Sequence, residues 1–257
     1  MWWKKDNNRP SDQEQTLLSH LTELRDRLLR SIGCILLVFL ALSFFANDIY
    51  TLIAGPLLTQ LPEGGMMIAT EVASTFLVPF KLTFFVSIFI AMPYLLYQAW
   101  AFVAPGLYEN ERSFAVPLLL LSIMLFYLGT CFAFFVIFPI MFKFFALSAP
   151  EGVSFIPDIG QYLKFVLGLF FAFGICFEVP VLTILLVKSG ITTVRAMTEK
   201  RPYVIVGAFT VGMLLTPPDV LSQTLLALPM WGLFELGLLL CRYLMPAAEN
   251  LEEQESS

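Results

Sequence analysis

Six apolar stretches, each bounded by charged or polar residues, constrain the fold of this chain more than any other feature of its sequence. A helix of about 20 apolar residues crosses the hydrocarbon core of a bilayer and satisfies its own backbone hydrogen bonds there. The stretches therefore predict an all-α polytopic membrane protein with six transmembrane helices. Their expected bounds are residues 28–46, 77–103, 114–145, 162–187, 203–216 and 220–240.

The composition of the chain excludes an ordinary soluble domain. Apolar residues make up 58% and charged residues only 14% of the 257 residues, and the mean hydropathy is +0.80. Soluble domains carry about a quarter charged residues. The four cysteines lie among apolar residues without a paired spacing, so we expect no metal site, no redox site and no cofactor.

The last two apolar stretches are less regular than the others, and the fifth is the shortest of the six. Residues 203–216 give only 14 positions. At helical rise, that number of residues spans about 21 Å, which is less than the thickness of the hydrocarbon core. We therefore expect short fifth and sixth spans, accommodated either by local thinning of the bilayer or by shielding from neighbouring helices.

The distribution of Lys and Arg predicts how the chain is oriented in the membrane. Twelve of the 15 basic residues lie in the N-terminal segment, in the loops after spans two and four, or in the C-terminal tail. The positive-inside rule assigns these segments to the cytoplasm. Both termini are therefore expected on the cytoplasmic side, and four aromatic residues are expected at the membrane interfaces: Tyr97, Trp100, Tyr108 and Tyr162.

The apolar region predicts one integral-membrane domain, residues 1–245. Residues 1–27 carry leucines at helical spacing, and we interpret them as an amphipathic cytoplasmic segment that leads into span one. A cleaved signal peptide is rejected, because no small-residue cleavage site follows the first span and further spans come after it. Residues 246–257 are acidic and are expected to be disordered.

Acidic residues near or within the spans are the candidate functional groups. Glu178 lies in span four, about 13 Å from its cytoplasmic end. A carboxyl at that depth usually faces a partner or a cavity, and a protonated carboxyl bonded to a neighbouring helix is the alternative. Glu235 in span six is a second such group, and for it a functional and a structural role remain equally open. For Glu109 and Glu111, after span two, a functional role and capping of span three remain equally open.

The sequence does not indicate an enzymatic active site. The sequence contains no phosphate-binding loop, no metal-ligand cluster and no nucleophile beside a base, and its one histidine lies outside the spans. We therefore do not expect an enzyme.

Several short strings, in order along the spans, resemble the TatC family, the multispanning core of the twin-arginine protein translocase. The resemblance covers about residues 17–245. The strings are residues 20–25 (HLTELR), 97–105 (YQAWAFVAP), 109–112 (ENER), 177–180 (FEVP), 200–203 (KRPY) and 215–219 (LTPPD).

This resemblance implies a receptor for signal peptides that carry paired arginines on folded proteins. Such peptides are bound from the cytoplasm, and the folded proteins are exported by means of the proton-motive force. In the family, the positions of Glu23 and Glu111 form the twin-arginine site, which suits the planar fork of a guanidinium. Arg25, Phe102 and Glu109 are included in the same expected site.

The resemblance also implies a cup-shaped bundle and further functional positions. Glu178 matches an intramembrane carboxyl that faces the concave side and meets a polar group of a single-span partner. Asp219 and Gln223 match positions in the outer turn, where a purely architectural role is the alternative. Pro56 and Phe76 match functional positions of the outer loop.

The implied partners are TatB-type and TatA-type single-span proteins, other copies of the same chain and the lipid bilayer, with no nucleic acid. The bacterial cytoplasmic (inner) membrane is favoured over a thylakoid, because the N-terminus lacks a transit stretch rich in Ser and Arg. Two alternatives stay open at this point. One is a polytopic permease for small solutes, and the other is a membrane scaffold that has no recognition site of its own.

Overall fold

The computed structural model describes residues 12–58, 67–103, 112–148, 156–215 and 220–244. The helices in these ranges are α1 (Asp12–Leu42), α2 (Ala46–Leu58), α3 (Ser74–Val103), α4 (Arg112–Phe132), α5 (Phe138–Leu147), α6 (Ile159–Cys176), α7 (Val179–Lys188), α8 (Val194–Glu199), α9 (Arg201–Leu215) and α10 (Val220–Leu244). Within the described ranges no β-strand occurs, and a single isolated β-bridge is present. The all-α fold expected from the sequence is confirmed.

Among the described residues, five helical stretches are long and apolar enough to cross a bilayer, and α9 is a shorter apolar helix. With 15 residues, α9 is about 22 Å long at helical rise, in agreement with the short fifth span expected from the sequence. The long stretches are Leu21–Gly55, Ser74–Phe102, Val116–Leu147, Ile159–Lys188 and Val220–Tyr243.

Two boundaries differ from those expected. The sixth span is not short, because α10 has 25 residues and extends beyond residue 240 through Arg242. A long basic side chain at a helix end reaches the interface without ending the helix. The first span does not end at residue 46, because a single 3₁₀ turn at Ser43–Phe45 joins α1 to α2.

Span four is interrupted in its middle, where α6 ends and α7 begins. Pro180 lies in the first turn of α7, where its missing N–H costs no helical hydrogen bond. The N–H of Phe177 donates to the Phe173 carbonyl and the N–H of Glu178 donates to the Ile175 carbonyl, each at 3.0 Å. The interruption therefore keeps these backbone groups bonded and places Glu178 immediately before α7.

Aromatic rings fill the interior between α3, α4, α5 and α6. The ring centroids of Phe89 and Phe126 lie 5.4 Å apart, and those of Phe138 and Phe170 lie 5.1 Å apart. Such pairs contribute about 0.5–1.5 kcal/mol each. Because lipid tails are as apolar as these rings, close packing holds the helices together.

Small residues bring α6 close to α9 and α10. Ala172 and Cys176 of α6 pack against a buried cluster that contains Ala208 of α9 and Ala227 of α10. A Cβ atom added at Gly168 would lie 2.7 Å from a side-chain atom of α9. Because the residues on this face of α6 are small, the short helix α9 packs close against it.

Asp158 joins the segment before α3 to the start of α6. Its carboxylate accepts from the Gly160 and Gln161 N–H groups, each at 2.9 Å, and so caps α6. The other carboxylate oxygen accepts from the N–H and the hydroxyl of Thr70, at 2.9 and 2.8 Å. Nearby, the Tyr162 hydroxyl donates to the Ile53 carbonyl at 2.6 Å. We call this region the Asp158 end of the bundle.

Replacement of Asp158 by Asn is expected to lower stability in a way that depends on pH. The pKa of Asp158 is lowered from 3.8 to about 2, chiefly by the Thr70 N–H and then by the Gln161 N–H. Because the folded-state pKa is the lower one, its stabilisation is present above about pH 4 and is lost as the pH falls toward 2. Thermal unfolding in detergent should therefore show a constant deficit for Asp158→Asn from about pH 5 to 8, and a smaller one below pH 4.

The matched control is Glu71→Gln, because Glu71 is an exposed carboxylate close to Thr70 in the chain. This control should unfold like the wild-type protein at every pH. Equal stability of Asp158→Asn and the wild type at neutral pH would contradict the role assigned to this carboxylate.

Candidate functional site

Glu23 and Arg27 form an ion pair on α1, at the end of the bundle opposite Asp158. Their spacing of four residues places both side chains on one face of the helix. The Nε and Nη2 atoms of Arg27 donate to Oε1 of Glu23 at 3.0 and 2.6 Å. The Nη1 atom of Arg27 donates to Oε1 of Gln98 on α3 at 3.2 Å. We call this region the Glu23 end.

The other residues expected at this site differ in position, and not all of them lie within the described residues. Phe102 is half-buried and lies one helical turn after Gln98 on α3. Arg25 is exposed and donates to the neighbouring Asp26 at 3.0 and 2.8 Å, so the described bonds do not join it to Glu23. Glu109 and Glu111 lie outside the described residues, and α4 begins at Arg112.

Glu178 faces a cavity of about 300 Å³ between α3, α4 and the α6–α7 interruption. The walls are almost entirely aliphatic and aromatic, and Trp100 and Ser122 contribute the other polar side-chain atoms. The Trp100 indole N–H donates to the Ser122 hydroxyl at 3.3 Å, and this hydroxyl also interacts with the Glu178 carboxyl. Oε1 of Glu178 is buried and has no hydrogen-bond partner among the described residues.

A buried carboxyl oxygen that has no hydrogen-bond partner among the described residues favours binding of a polar group. Burial of an unpaired polar atom in apolar surroundings costs free energy, and a partner that supplies a hydrogen bond recovers it. Two residues that line the cavity, Ile175 and Leu182, are exposed on either side of the helix interruption, where another helix can pack. This geometry suits the binding of a partner helix rather than chemical catalysis.

Two of the aromatic residues that we expected at membrane interfaces are buried between the helices. Trp100 is only 9% exposed, and Tyr162 only 5%. Both direct their polar atom to a partner inside the bundle, Ser122 and the Ile53 carbonyl respectively. Tyr97 is exposed, as expected of an interfacial residue, and Tyr108 lies outside the described residues.

Glu235 has a structural partner that the sequence did not reveal. The Nη2 atom of Arg201, at the start of α9, lies 2.6 Å from Oε2 of Glu235 on α10. Oε1 of Glu235 and Nε of Arg201 are buried and lack a hydrogen-bond partner within the described part of the chain. The pair joins the short helix α9 to α10 at the Glu23 end.

Three of the remaining expected positions, Pro56, Phe76 and Gln223, lie toward the Asp158 end, away from Glu23. Phe76, in the first turn of α3, is exposed, and its ring centroid lies 4.9 Å from that of Phe80. Gln223 is half-buried in the first turn of α10. Pro56 belongs to α2, and Asp219 lies outside the described residues. The expected positions are thus divided among the two ends and the mid-span cavity.

Loss of either partner of the Arg201–Glu235 pair is expected to destabilise the protein. Arg201→Leu or Glu235→Leu leaves one partly buried charge unpaired, at a cost of about 1–3 kcal/mol. The side chain of Arg201 is 40% exposed, so the larger losses typical of fully buried pairs are not expected. The double variant should lose less than the sum of the single variants.

Unfolding free energies in mixed micelles, measured as a double-mutant cycle, test this coupling. Arg195→Leu serves as the control, because Arg195 is exposed and its contact with Glu199 is long, at 3.7 Å. Strictly additive losses for Arg201→Leu and Glu235→Leu would show that the two residues do not stabilise each other.

Known proteins are similar to this chain over most of its length. The family described as "Sec-independent protein translocase protein (TatC)" matches residues 19–229. A protein of that name from Azotobacter chroococcum mcd 1 is 62% identical over 227 residues, which is 88% of this chain and 89% of the relative. The protein of that name from Escherichia coli (strain K12) is 55% identical over 242 residues, or 94% of each chain.

A solved structure agrees with the sequence comparison. The crystal structure of a protein described as "Twin Arginine Translocase Receptor- TatC" superposes with a TM-score of 0.78 at 36% identity, and the match covers 87% of this chain and 98% of that one. Fold and sequence therefore agree along nearly the whole length of both proteins. The chain belongs to the TatC family of Sec-independent protein translocase proteins.

Proposed function

We propose that this translocase component is the receptor for twin-arginine signal peptides and organises the export of folded proteins by the proton-motive force. The peptide binds at the Glu23 end, which faces the cytoplasm. The protein lies in the bacterial cytoplasmic membrane as one domain, residues 1–245, with both termini in the cytoplasm. The acidic tail, residues 246–257, lies outside the described residues. The bias of Lys and Arg toward the loops of this end supports that orientation.

The observation that carries the proposal is the guanidinium already bound to Glu23. Two nitrogen atoms of Arg27 donate to one carboxylate oxygen of Glu23. The carboxylate is thus positioned for a forked donor, which arginine provides and lysine does not. Its side chain is 39% exposed, so a peptide at the membrane surface has access to it.

The second arginine requires a second acceptor, and we assign this role to Glu111. Glu111 precedes α4, and Phe102 near the end of α3 supplies an apolar surface close in the sequence to the same loop. Arg25 and Glu109 complete the proposed peptide-binding set. The similar crystal structure is that of a protein described as a twin-arginine translocase receptor, which supports this assignment.

Partner binding is assigned to Glu178 and to the exposed face of α9. Single-span TatB-type and TatA-type proteins would present a polar group to the Oε1 atom of Glu178, which has no partner among the described residues. On α9, Tyr203, Val206 and Leu214 are strongly exposed apolar residues that suit contact with another helix or with lipid. Other copies of the chain are further partners, and Pro56, Phe76, Asp219 and Gln223 serve the assembly at the opposite end.

Replacement of Glu23 and Glu111 by Gln is expected to weaken peptide binding and to abolish export. Gln keeps the volume of Glu but loses the charge, and each charged hydrogen bond contributes about 1.5–3 kcal/mol. Affinity for a twin-arginine peptide in detergent should therefore fall by at least about tenfold. A twin-lysine peptide should bind the wild-type protein weakly, because lysine lacks the planar fork.

Glu199→Gln is the control for this experiment, because Glu199 is an exposed carboxylate on α8. It should bind both peptides as the wild type does. Normal export by the Glu23→Gln/Glu111→Gln double variant would refute the receptor assignment. Uptake of a small solute by liposomes that contain this protein alone would instead favour the permease.

Replacement of Glu178 by Ala is expected to weaken partner assembly and to leave peptide binding largely intact. The variant removes the one carboxyl group that lines the cavity within the described part of the chain, while Glu23 lies on a different helix at the bundle end. Co-purification with a single-span partner should fall severalfold. Glu178→Gln, which retains hydrogen-bonding atoms, should lose less, and unchanged co-purification of Glu178→Ala would contradict the assignment.

A further inference from the structure

Arg27 binds Glu23 with the same chemistry that an arginine of a ligand would use. Its Nε and Nη2 atoms converge on Oε1 of Glu23 at 3.0 and 2.6 Å. The geometry is that of a charge-assisted guanidinium–carboxylate pair. The Glu23 carboxylate therefore already has an arginine of its own chain bound to it.

Gln98 holds Arg27 from the other side. Gln98 is 6% exposed, so its amide is fixed within α3. Its Oε1 atom accepts from Nη1 of Arg27 at 3.2 Å, across 71 residues of sequence. The pair is nevertheless near the surface, because the side chains of Arg27 and Glu23 are 22% and 39% exposed. Arg27 is oriented by the protein and still replaceable by an incoming group.

We propose that Arg27 is an intramolecular competitor that sets the affinity threshold of the Glu23 site, with Gln98 as the residue that positions it. The inference rests on the proposed function, in which Glu23 binds an arginine of the signal peptide. When a ligand arginine replaces Arg27, one guanidinium–carboxylate pair is exchanged for another of the same kind. The affinity that the first ligand arginine contributes is therefore lowered by the cost of displacing Arg27, and tight binding needs the additional contacts that a second arginine makes.

Competition of this kind has a defined quantitative signature. The apparent dissociation constant of any ligand for Glu23 equals its intrinsic value divided by the fraction of molecules in which Arg27 has left the carboxylate. A partly exposed ion pair reduces that fraction roughly two- to sixfold. The factor is a property of the protein, so it applies equally to strong and weak ligands of Glu23.

The experiment measures binding of twin-arginine and twin-lysine peptides to the full-length protein in detergent. The variants are Arg27→Gln, Gln98→Leu, Glu23→Gln and Glu23→Gln/Arg27→Gln. Arg30→Gln is the matched control, because it removes the same charge from an exposed position on α1. Circular dichroism and thermal unfolding report whether each variant is folded.

Relative to Arg30→Gln, Arg27→Gln should bind both peptides roughly two- to sixfold more tightly and by the same factor. Gln98→Leu should produce a smaller tightening, because Arg27 keeps its bonds to Glu23. The Glu23→Gln/Arg27→Gln variant should bind no more tightly than Glu23→Gln, because the carboxylate for which Arg27 competes is gone.

The outcomes separate this inference from the proposed function. If Glu23→Gln weakens binding while Arg27→Gln weakens it or leaves it unchanged, the receptor function stands and the competitor role is wrong. If Glu23→Gln has no effect, or if neither the wild type nor Arg27→Gln binds either peptide, both are wrong. Tightening that persists in Glu23→Gln/Arg27→Gln would overturn the competitor role, because it would not act through Glu23.

Discussion

Every backbone polar group within the bilayer must be bonded inside the protein, because lipid tails offer neither donors nor acceptors. Long helices meet this constraint along most of their length. Where an α-helix is interrupted, the chain either continues in another helical hydrogen-bonding pattern or keeps its N–H groups bonded to the preceding helix. Ser43–Phe45 is a 3₁₀ turn, Ala133–Ile137 is a π-helical turn, and the N–H groups of Phe177 and Glu178 bond to carbonyls of α6. These interruptions of the α-helices therefore leave the backbone groups bonded.

The lack of hydrogen-bonding groups in lipid also explains how this chain distributes its charged side chains. At the Glu23 end, carboxylates pair with guanidinium groups, as in Glu23 with Arg27 and Glu235 with Arg201. Glu178 differs, because it lies in mid-span with one oxygen atom that has no partner among the described residues. A carboxyl in that position is costly for the isolated chain. Its retention is understandable if the chain functions as part of an assembly that supplies the missing group.

The sequence was sufficient to predict the helices and the family, but not the pairing of side chains between helices. Apolar length determines whether a helix spans a bilayer, and it is readable directly. The burial of Trp100 and Tyr162 between helices was not predicted, because an aromatic residue with a polar atom suits either an interface or a buried bond. Their partners belong to other helices. Likewise, Glu23 and Arg27 are recognisable as an i, i+4 pair, but the contact with Gln98 depends on how α1 packs against α3.

The π-helical turn at Ala133–Ile137, between α4 and α5, gives span three one residue more than a regular helix would contain. Each residue rotates an α-helix by about 100°. Without the extra residue, Phe138 and Phe142 of α5, which are both buried, would turn away from α6. The π-helical turn thus accommodates one inserted residue while α4 and α5 on either side stay packed. Along an evolutionary lineage, such a site permits the gain of a residue in the middle of a span while the packed faces on both sides keep their partners.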